Sequence, residues 1–239
     1  MSSTIWMPHA VSSEARPWRG HAWRIVEAQH TASTMKIVDD TAEQDLLESL
    51  LEDSKPAQPT TTAALDYLLA TPFRYAPRRG GSRFRSATDP GVFYGAQSVH
   101  TACAELGYWR WRFLQDCVGL DRIEPVAHTA FESVIATTAV DLRSPPFSVD
   151  AMRWTHTTDY SATQAFAQTA RQAELGAILY QSVRDAQPSW CVAVLTPNAF
   201  AKSKPEPMTQ TWWLAVQQNS VIWRRELASF TFSATNWVR

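Results

Sequence analysis

The order of strand-like and helix-like segments is the feature that most constrains the fold of this chain. Segments rich in β-formers recur along the sequence, but they do not alternate with helices as a parallel β-α-β sheet requires. The predicted strands cover residues 21–28, 91–96, 128–142, 177–184, 190–195, 209–216, 221–227 and 230–238. We therefore expect an α+β domain built on a mostly antiparallel sheet.

Three helices are predicted between these strands. Thr41 and Gln44 are spaced as a capping box and begin an acidic amphipathic helix. Its apolar face consists of leucines, namely Leu46, Leu47, Leu50 and Leu51. A second helix follows the potential cap Ser98. A third is expected over residues 161–175, with Ser161 and Gln164 as its capping box and Gly176 just past its end.

One domain is expected from the amount of apolar sequence. The chain has 239 residues, of which 45% are hydrophobic and 19% charged, enough for one sizeable core. Residues 1–20 have no clear period and predict a loosely ordered lead-in before a single domain over residues 21–239. An insertion at about residues 36–70 carries the acidic helix. No apolar run is long enough to cross a membrane, so no membrane association is expected.

Composition excludes several classes of function. The 22 Lys and Arg residues balance 23 Asp and Glu residues, and a net charge of −1 provides no global field to hold a nucleic-acid backbone. Three cysteines without CxxC spacing and six scattered histidines predict neither a disulfide framework nor a metal site, and they fit a reducing cytoplasm. The GxGxxG, Walker, HExxH and GxSxG motifs are missing, which argues against the chemistries that depend on them.

An arginine-rich turn is the most informative local feature. Four arginines surround the turn residues 80–81, namely Arg78, Arg79, Arg83 and Arg85. Guanidinium groups match phosphate oxygens, and glycines allow the backbone to approach a bound group closely. A solvated loop is the alternative. The sequence continues through Tyr94 on a predicted buried strand to Glu105 on a largely apolar helix face, and a buried glutamate requires a partner.

These ordered motifs resemble the RES domain, a family named after its Arg, Glu and Ser. They are Trp23-Arg24, Gly81-Ser82-Arg83-Phe84, Val92-Phe93-Tyr94-Gly95-Ala96, Thr101-Ala102-Cys103-Ala104-Glu105 and Tyr180-Gln181-Ser182-Val183-Arg184. The resemblance spans about residues 21–200, which is most of the chain. It implies an ADP-ribosyltransferase-like α+β fold with split, mostly antiparallel sheets and flanking helices.

The resemblance also implies a function. Family members cleave NAD, their substrate, at the nicotinamide–ribose bond by hydrolysis or phosphorolysis and without a metal. Many are cytoplasmic toxins that an Xre-like antitoxin neutralises, and nucleic acid is then reached only through the antitoxin. The first alternative is mono-ADP-ribosylation of a cellular protein. The second is a non-enzymatic RNA-binding module, although Trp109 and Trp111 point about 200° apart on a helix and cannot form one stacking platform.

The family's arginines are carried over to two positions. Arg24 and Arg83 match them and are expected to clamp the pyrophosphate, with Arg24 also among the catalytic residues. Two departures matter: Arg85 stands where many members have Asn, and the insertion between the first motifs is long. Because of that insertion, Arg74 competes with Arg24 as the first arginine.

Three further residues complete the expected site. Glu105 matches the helix glutamate and is expected to stabilise positive charge that develops on the ribose. Tyr94 matches the strand tyrosine and is expected to stack on the nicotinamide. Ser182 matches the late serine and is expected to hold either Glu105 or the carboxamide by a hydrogen bond.

Overall fold

Eight strands are joined by hydrogen bonds into one sheet in the computed structural model, which describes residues 6–28, 37–75 and 81–237. The strands are β1 (Arg16–Glu27), β2 (Phe93–Ala96), β3 (Arg122–Asp141), β4 (Ala177–Gln181), β5 (Trp190–Val194), β6 (Gln210–Gln217), β7 (Ser220–Arg225) and β8 (Ala228–Ser233). Their order across the sheet is β1-β2-β5-β4-β3-β6-β7-β8. Within the described strands only β3 and β4 run parallel, so the predicted α+β fold with a mostly antiparallel sheet is confirmed.

The long strand β3 closes part of the sheet into a ring. Its residues 128–139 pair along one edge with β1, while its other edge pairs with β6 and with β4. Strands β1, β2, β5, β4 and β3 therefore form a closed circuit, from which β6, β7 and β8 extend as an antiparallel meander. The circuit is weakest between β1 and β2, which share the single register pair Trp23 and Ala96.

Six α-helices surround this sheet in the described part of the chain. They are α1 (Pro8–Glu14), α2 (Thr41–Asp53), α3 (Tyr67–Arg74), α4 (Val99–Asp116), α5 (Ala151–Trp154) and α6 (Ser161–Gln172). Ser98 caps α4 as predicted, because its side chain accepts a hydrogen bond from the backbone N–H of Thr101. Within the described residues, no helix combines the length and apolar character needed to span a bilayer.

The apolar core lies on both faces of the ring, because successive strand residues point to opposite sides. Ala22 of β1 packs inside the ring in a cluster with Phe93 and Phe131. Ile25, on the opposite face of the same strand, belongs to a larger cluster that includes Tyr108 of α4. This alternation places α4 against the outer face of β1 and sets the location of the site described below.

The prediction of a loosely ordered lead-in is wrong for residues 8–20. Helix α1 occupies residues 8–14 and packs against α6 with Val11 fully buried, and β1 begins at Arg16 rather than at His21. A seven-residue helix has little stability of its own, so α1 depends on this contact with α6. Local sequence signals do not reveal such a contact. Residues 1–5 of the predicted lead-in lie outside the described residues.

The predicted helices form, but two details of their ends differ from expectation. Asp40, rather than Thr41, caps α2 by accepting a hydrogen bond from the N–H of Glu43. No side chain caps α6 at Tyr160, and Gln164 of that helix instead donates to backbone carbonyls of the arginine-rich turn. Helix α6 ends through Glu174 with φ of +58°, so Gly176 does not have the predicted role at its end.

The leucine face of α2 remains largely in solvent. Leu46, Leu50 and Leu51 are exposed, and Leu47 is half-buried. The helix is tied to α3 through an ion pair between Glu52 and Arg74. Amphipathic spacing therefore predicted the helix correctly, whereas only the tertiary structure shows that its apolar face has little cover from the described residues.

Candidate functional site

A cavity of about 240 Å³ lies where β1 and β2 diverge beneath α4. Four of the residues expected in the site line this cavity, namely Arg24, Arg83, Tyr94 and Glu105. Ligand clefts in proteins span roughly 300–1,000 Å³, so this cavity suits one nucleoside-sized group better than a whole dinucleotide. The site therefore combines a carboxylate and arginines in a small, partly enclosed space.

Glu105 is anchored by Ser182. The Ser182 hydroxyl donates a 2.6 Å hydrogen bond to Oε1 of Glu105, and Ser182 itself is buried. Among the described residues, none donates a hydrogen bond to Oε2 of Glu105. A half-buried carboxylate with one oxygen fixed keeps its other oxygen available to a ligand.

The turn that carries Ser182 is bound to the first turn of α4. The Ser182 Oγ accepts hydrogen bonds from the backbone N–H groups of Arg184 and Asp185. The buried Asp185 carboxylate accepts a 2.9 Å hydrogen bond from Thr101 Oγ1 and lies 3.0 Å from His100 Nδ1. Because α4 also carries Glu105, these contacts fix the position of Ser182 relative to Glu105.

Arg24 reaches the cavity from β1. Its Nη1 donates a 2.9 Å hydrogen bond to the carbonyl oxygen of Tyr94, and its guanidinium lies 5.0 Å from the centre of the Phe93 ring. Burial lowers the pKa of Arg24 to about 10, which leaves it charged at neutral pH. Its buried Nε has no hydrogen-bond partner within the described structure. A charged guanidinium that lines a cavity is suited to an anion.

The alternative first arginine lies elsewhere. Arg74 pairs with Glu52 at 2.8 Å and donates to the carbonyl of Pro56, and it does not line the cavity. The two candidates that the sequence left open are therefore distinguished by position: Arg24 shares the cavity with Glu105, and Arg74 connects α3 to α2.

Arg83 and Tyr94 hold the arginine-rich turn in place. Arg83 donates through Nη1 to the carbonyls of Trp154 and His156, at 2.9 and 3.0 Å. The Tyr94 hydroxyl lies 2.7 Å from Ser82 Oγ and accepts from a backbone N–H at 2.9 Å. Burial raises the pKa of this hydroxyl. Both side chains line the cavity, but the polar atoms named here already make hydrogen bonds within the protein.

Gly81 is required by the backbone of this turn. Its φ is +82°, and a Cβ at this position would lie 2.0 Å from the carbonyl oxygen of Arg85. The glycine predicted to mark the turn is therefore needed both for its conformation and for close packing. Arg78, Arg79 and Gly80 of the same predicted turn lie outside the described residues.

Comparison with models of known families assigns the chain to one of them. A family model described as RES domain matches residues 56–217, more than half of the sequence. The chain belongs to the RES domain family. The resemblance expected from the sequence motifs is thus confirmed. The matched range contains Arg83, Tyr94, Glu105 and Ser182, whereas Arg24 precedes it and reaches the cavity through β1.

A solved structure with a similar chain path is the M. tuberculosis MbcT–MbcA toxin–antitoxin complex. That chain is 13% identical, the alignment covers 96% of this RES protein and 93% of that chain, and the TM-score is 0.46. No curated protein matches the sequence significantly. Assignment to the RES family therefore rests on the family match.

Arg184, which the sequence offered only as a peripheral candidate, also lines the cavity of this RES domain. It is buried, its guanidinium lies 3.4 Å from the centre of the Tyr108 ring, and it donates to the Thr157 carbonyl and the Tyr160 hydroxyl. Its Nη1 is buried without a partner in the described structure. The available signal was its position two residues after Ser182 in the last family motif.

Cys191 lies beside the site glutamate. Its Sγ is 3.8 Å from Oε1 of Glu105, and burial, followed by the nearby glutamate, raises its pKa well above the ordinary thiol value. A thiol held in its neutral form is a poor nucleophile.

Within residues 6–28, 37–75 and 81–237, no three His, Cys, Asp or Glu side chains cluster in a way that could hold a metal ion.

Proposed function

We propose that this RES-domain protein cleaves the bond between nicotinamide and ribose in NAD. The observation that supports this most directly is the 2.6 Å hydrogen bond from Ser182 to Glu105, which orients a carboxylate in a cavity that Arg24 also lines. Breaking an N-glycosidic bond develops positive charge on the ribose. A fixed carboxylate stabilises that charge more in the transition state than in the ground state.

The proposed reaction uses the groups at the cavity as follows. The bond from ribose C1′ to the nicotinamide nitrogen breaks, and its electron pair leaves with nicotinamide, which becomes neutral. Glu105 stabilises the cationic ribose through its free oxygen, and an acceptor oxygen then bonds to C1′. When the acceptor is water, its proton passes to Glu105 or to solvent.

The arginines have different parts in this proposal. Arg24 lines the cavity, is charged at neutral pH and binds the pyrophosphate of NAD. Arg83 acts largely through the backbone that it holds, since its Nη1 donates to two carbonyls. Tyr94 offers the face of its ring to the nicotinamide while its hydroxyl supports the turn.

The proposed cleavage gives one of three products, depending on which group accepts ADP-ribose. Water gives ADP-ribose, phosphate gives its phosphorylated form, and a protein side chain gives an ADP-ribosylated protein. We favour degradation of NAD over transfer to a protein. The RNA-binding alternative has less support, because Trp109 is 48% exposed while Trp111 of the same helix is buried, so they form no common platform.

Membership of the RES family also supports a biological role for this activity. We propose that the protein is a cytoplasmic toxin that depletes NAD and that an Xre-like antitoxin protein binds and neutralises it. Contact with nucleic acid would then occur through the antitoxin. Expression of the chain alone should arrest growth and lower cellular NAD, and co-expression of a small helix-turn-helix protein encoded beside it should prevent both effects.

The enzymatic proposal is tested with the purified full chain and NAD. We expect nicotinamide release, measured by chromatography, with free ADP-ribose in buffer and its phosphorylated form when phosphate is the preferred acceptor. A labelled protein band after incubation of a lysate with labelled NAD would instead establish transfer. Salt-dependent binding of RNA without any turnover of NAD would contradict the proposal.

A further inference from the structure

A second, smaller cavity borders Arg24 and is not lined by Glu105. It has a volume of about 60 Å³ and is lined by the end of β1 and by α3. Its lining includes Arg24, Glu27, Tyr67, Leu68, Thr71 and Pro72. In the described structure, Arg24 is the one residue that lines both this cavity and the one that contains Glu105.

This shared arginine limits where a dinucleotide can lie. If Arg24 binds the pyrophosphate, one nucleoside can reach each of the two cavities that this guanidinium borders. The nicotinamide riboside has to reach Glu105 in the larger cavity. The adenosine half is then directed towards the cavity formed by β1 and α3.

The chemistry of the smaller cavity suits adenosine. Tyr67 is 59% exposed and offers an aromatic ring on which a purine base can stack. Leu68 and Pro72 provide apolar contacts, whereas the Glu27 carboxylate is already paired with Arg110 of α4. A volume of about 60 Å³ is too small to enclose a nucleoside, so the base would lie largely outside the cavity, against the exposed Tyr67 that lines it.

From this placement we infer that the cavity between β1 and α3 is the binding site for the adenosine half of NAD, with the base stacked on Tyr67 and Arg24 at the pyrophosphate. This inference rests on the proposed function for the identity of the substrate. It assigns affinity for NAD to α3, a helix from which no residue lines the cavity that contains Glu105.

Binding of ADP tests the site without any catalytic step. ADP contains the adenosine and the pyrophosphate but lacks nicotinamide and its ribose. By titration calorimetry, Tyr67→Ala should weaken ADP binding about tenfold, because stacking of one base on an aromatic ring contributes energy of that order. Tyr67→Phe keeps the ring and should retain the affinity of the native chain within about twofold.

A matched control lies at the opposite end of the same helix. Tyr75 is 37% exposed and follows α3, but it does not line either cavity. Tyr75→Ala should bind ADP as the native chain does. Thermal unfolding of all three variants should match that of the native chain, since both rings are substantially exposed.

Kinetics then compare NAD with nicotinamide mononucleotide, which lacks the adenosine half. Tyr67→Ala should lower kcat/KM for NAD about tenfold and leave kcat/KM for the mononucleotide unchanged. Equal ADP affinity in the native chain and Tyr67→Ala, or equal losses on both substrates, would overturn the assignment. Tyr67-dependent ADP binding without any nicotinamide release would contradict the proposed function while supporting this site.

Discussion

Ser182 donates a 2.6 Å hydrogen bond to Glu105 across a sequence separation of 77 residues. The serine follows β4, and the glutamate lies in the middle of α4. Their contact depends on Asp185, which binds the same turn to the beginning of α4 through Thr101. The orientation of the carboxylate is thus determined by a hydrogen-bonded turn rather than by the helix alone.

Replacing the carboxylate at position 105 should remove activity without unfolding the protein. Glu105→Gln retains the size of the side chain and an oxygen that can accept from Ser182, but it removes the negative charge. We expect nicotinamide release to fall by at least about 100-fold, the scale of losing a principal electrostatic group at an active site. Glu124→Gln changes an exposed side chain near the start of β3 and should retain full activity. An active Glu105→Gln enzyme would exclude this residue from catalysis.

Removing the Ser182 hydroxyl should affect both rate and stability. Ser182→Ala removes the hydroxyl that donates to Glu105 and leaves two backbone N–H groups without their acceptor, so kcat should fall and the free energy of unfolding should decrease by about 1–3 kcal/mol. The matched control is Ser189→Ala. Its hydroxyl is buried without a hydrogen-bond partner in the described structure, so neither quantity should decrease. Equal behaviour of the two variants, measured by steady-state kinetics and urea unfolding, would contradict the anchoring role of Ser182.

Replacing Arg24 and replacing Arg74 should have different effects on the KM for NAD. Arg24→Ala should raise the KM for NAD about ten- to 100-fold, because a charge-assisted contact to the pyrophosphate contributes roughly 1.5–3 kcal/mol. Arg74→Ala should leave KM unchanged and only weaken the link between α3 and α2. Steady-state kinetics on both variants decide the question. A raised KM in Arg74→Ala with a normal one in Arg24→Ala would reverse the assignment.

Stability should decrease in mild acid because of His128. Burial lowers the pKa of this histidine below its ordinary value of 6.5. As the pH falls below about 6.5, the unfolded chain binds a proton that the folded chain resists, so the free energy of unfolding declines by up to roughly 1.4 kcal/mol per pH unit. His128→Phe should reduce this decline between pH 6.5 and 5, measured by urea unfolding. The exposed His9→Gln should retain it; an identical decline in both variants would rule out His128 as its cause.

Local patterns were sufficient for much of the fold. The helix after Ser98 and most of the strand positions follow from capping and from side-chain periodicity, which depend on neighbouring residues. Ordered family motifs likewise identified Glu105 and Ser182 before any geometry was known. The helix at Pro8–Glu14 was missed because packing against α6, rather than its own sequence, stabilises it.

The sequence by itself determined the α+β class, the RES family and the main types of residue in the site. Only the tertiary structure decided which arginine joins Glu105, because the choice between Arg24 and Arg74 depends on how β1 and β2 diverge. It also showed that α3 borders Arg24 from the other side. Such relationships arise from contacts between residues distant in sequence, which local propensity and spacing do not specify.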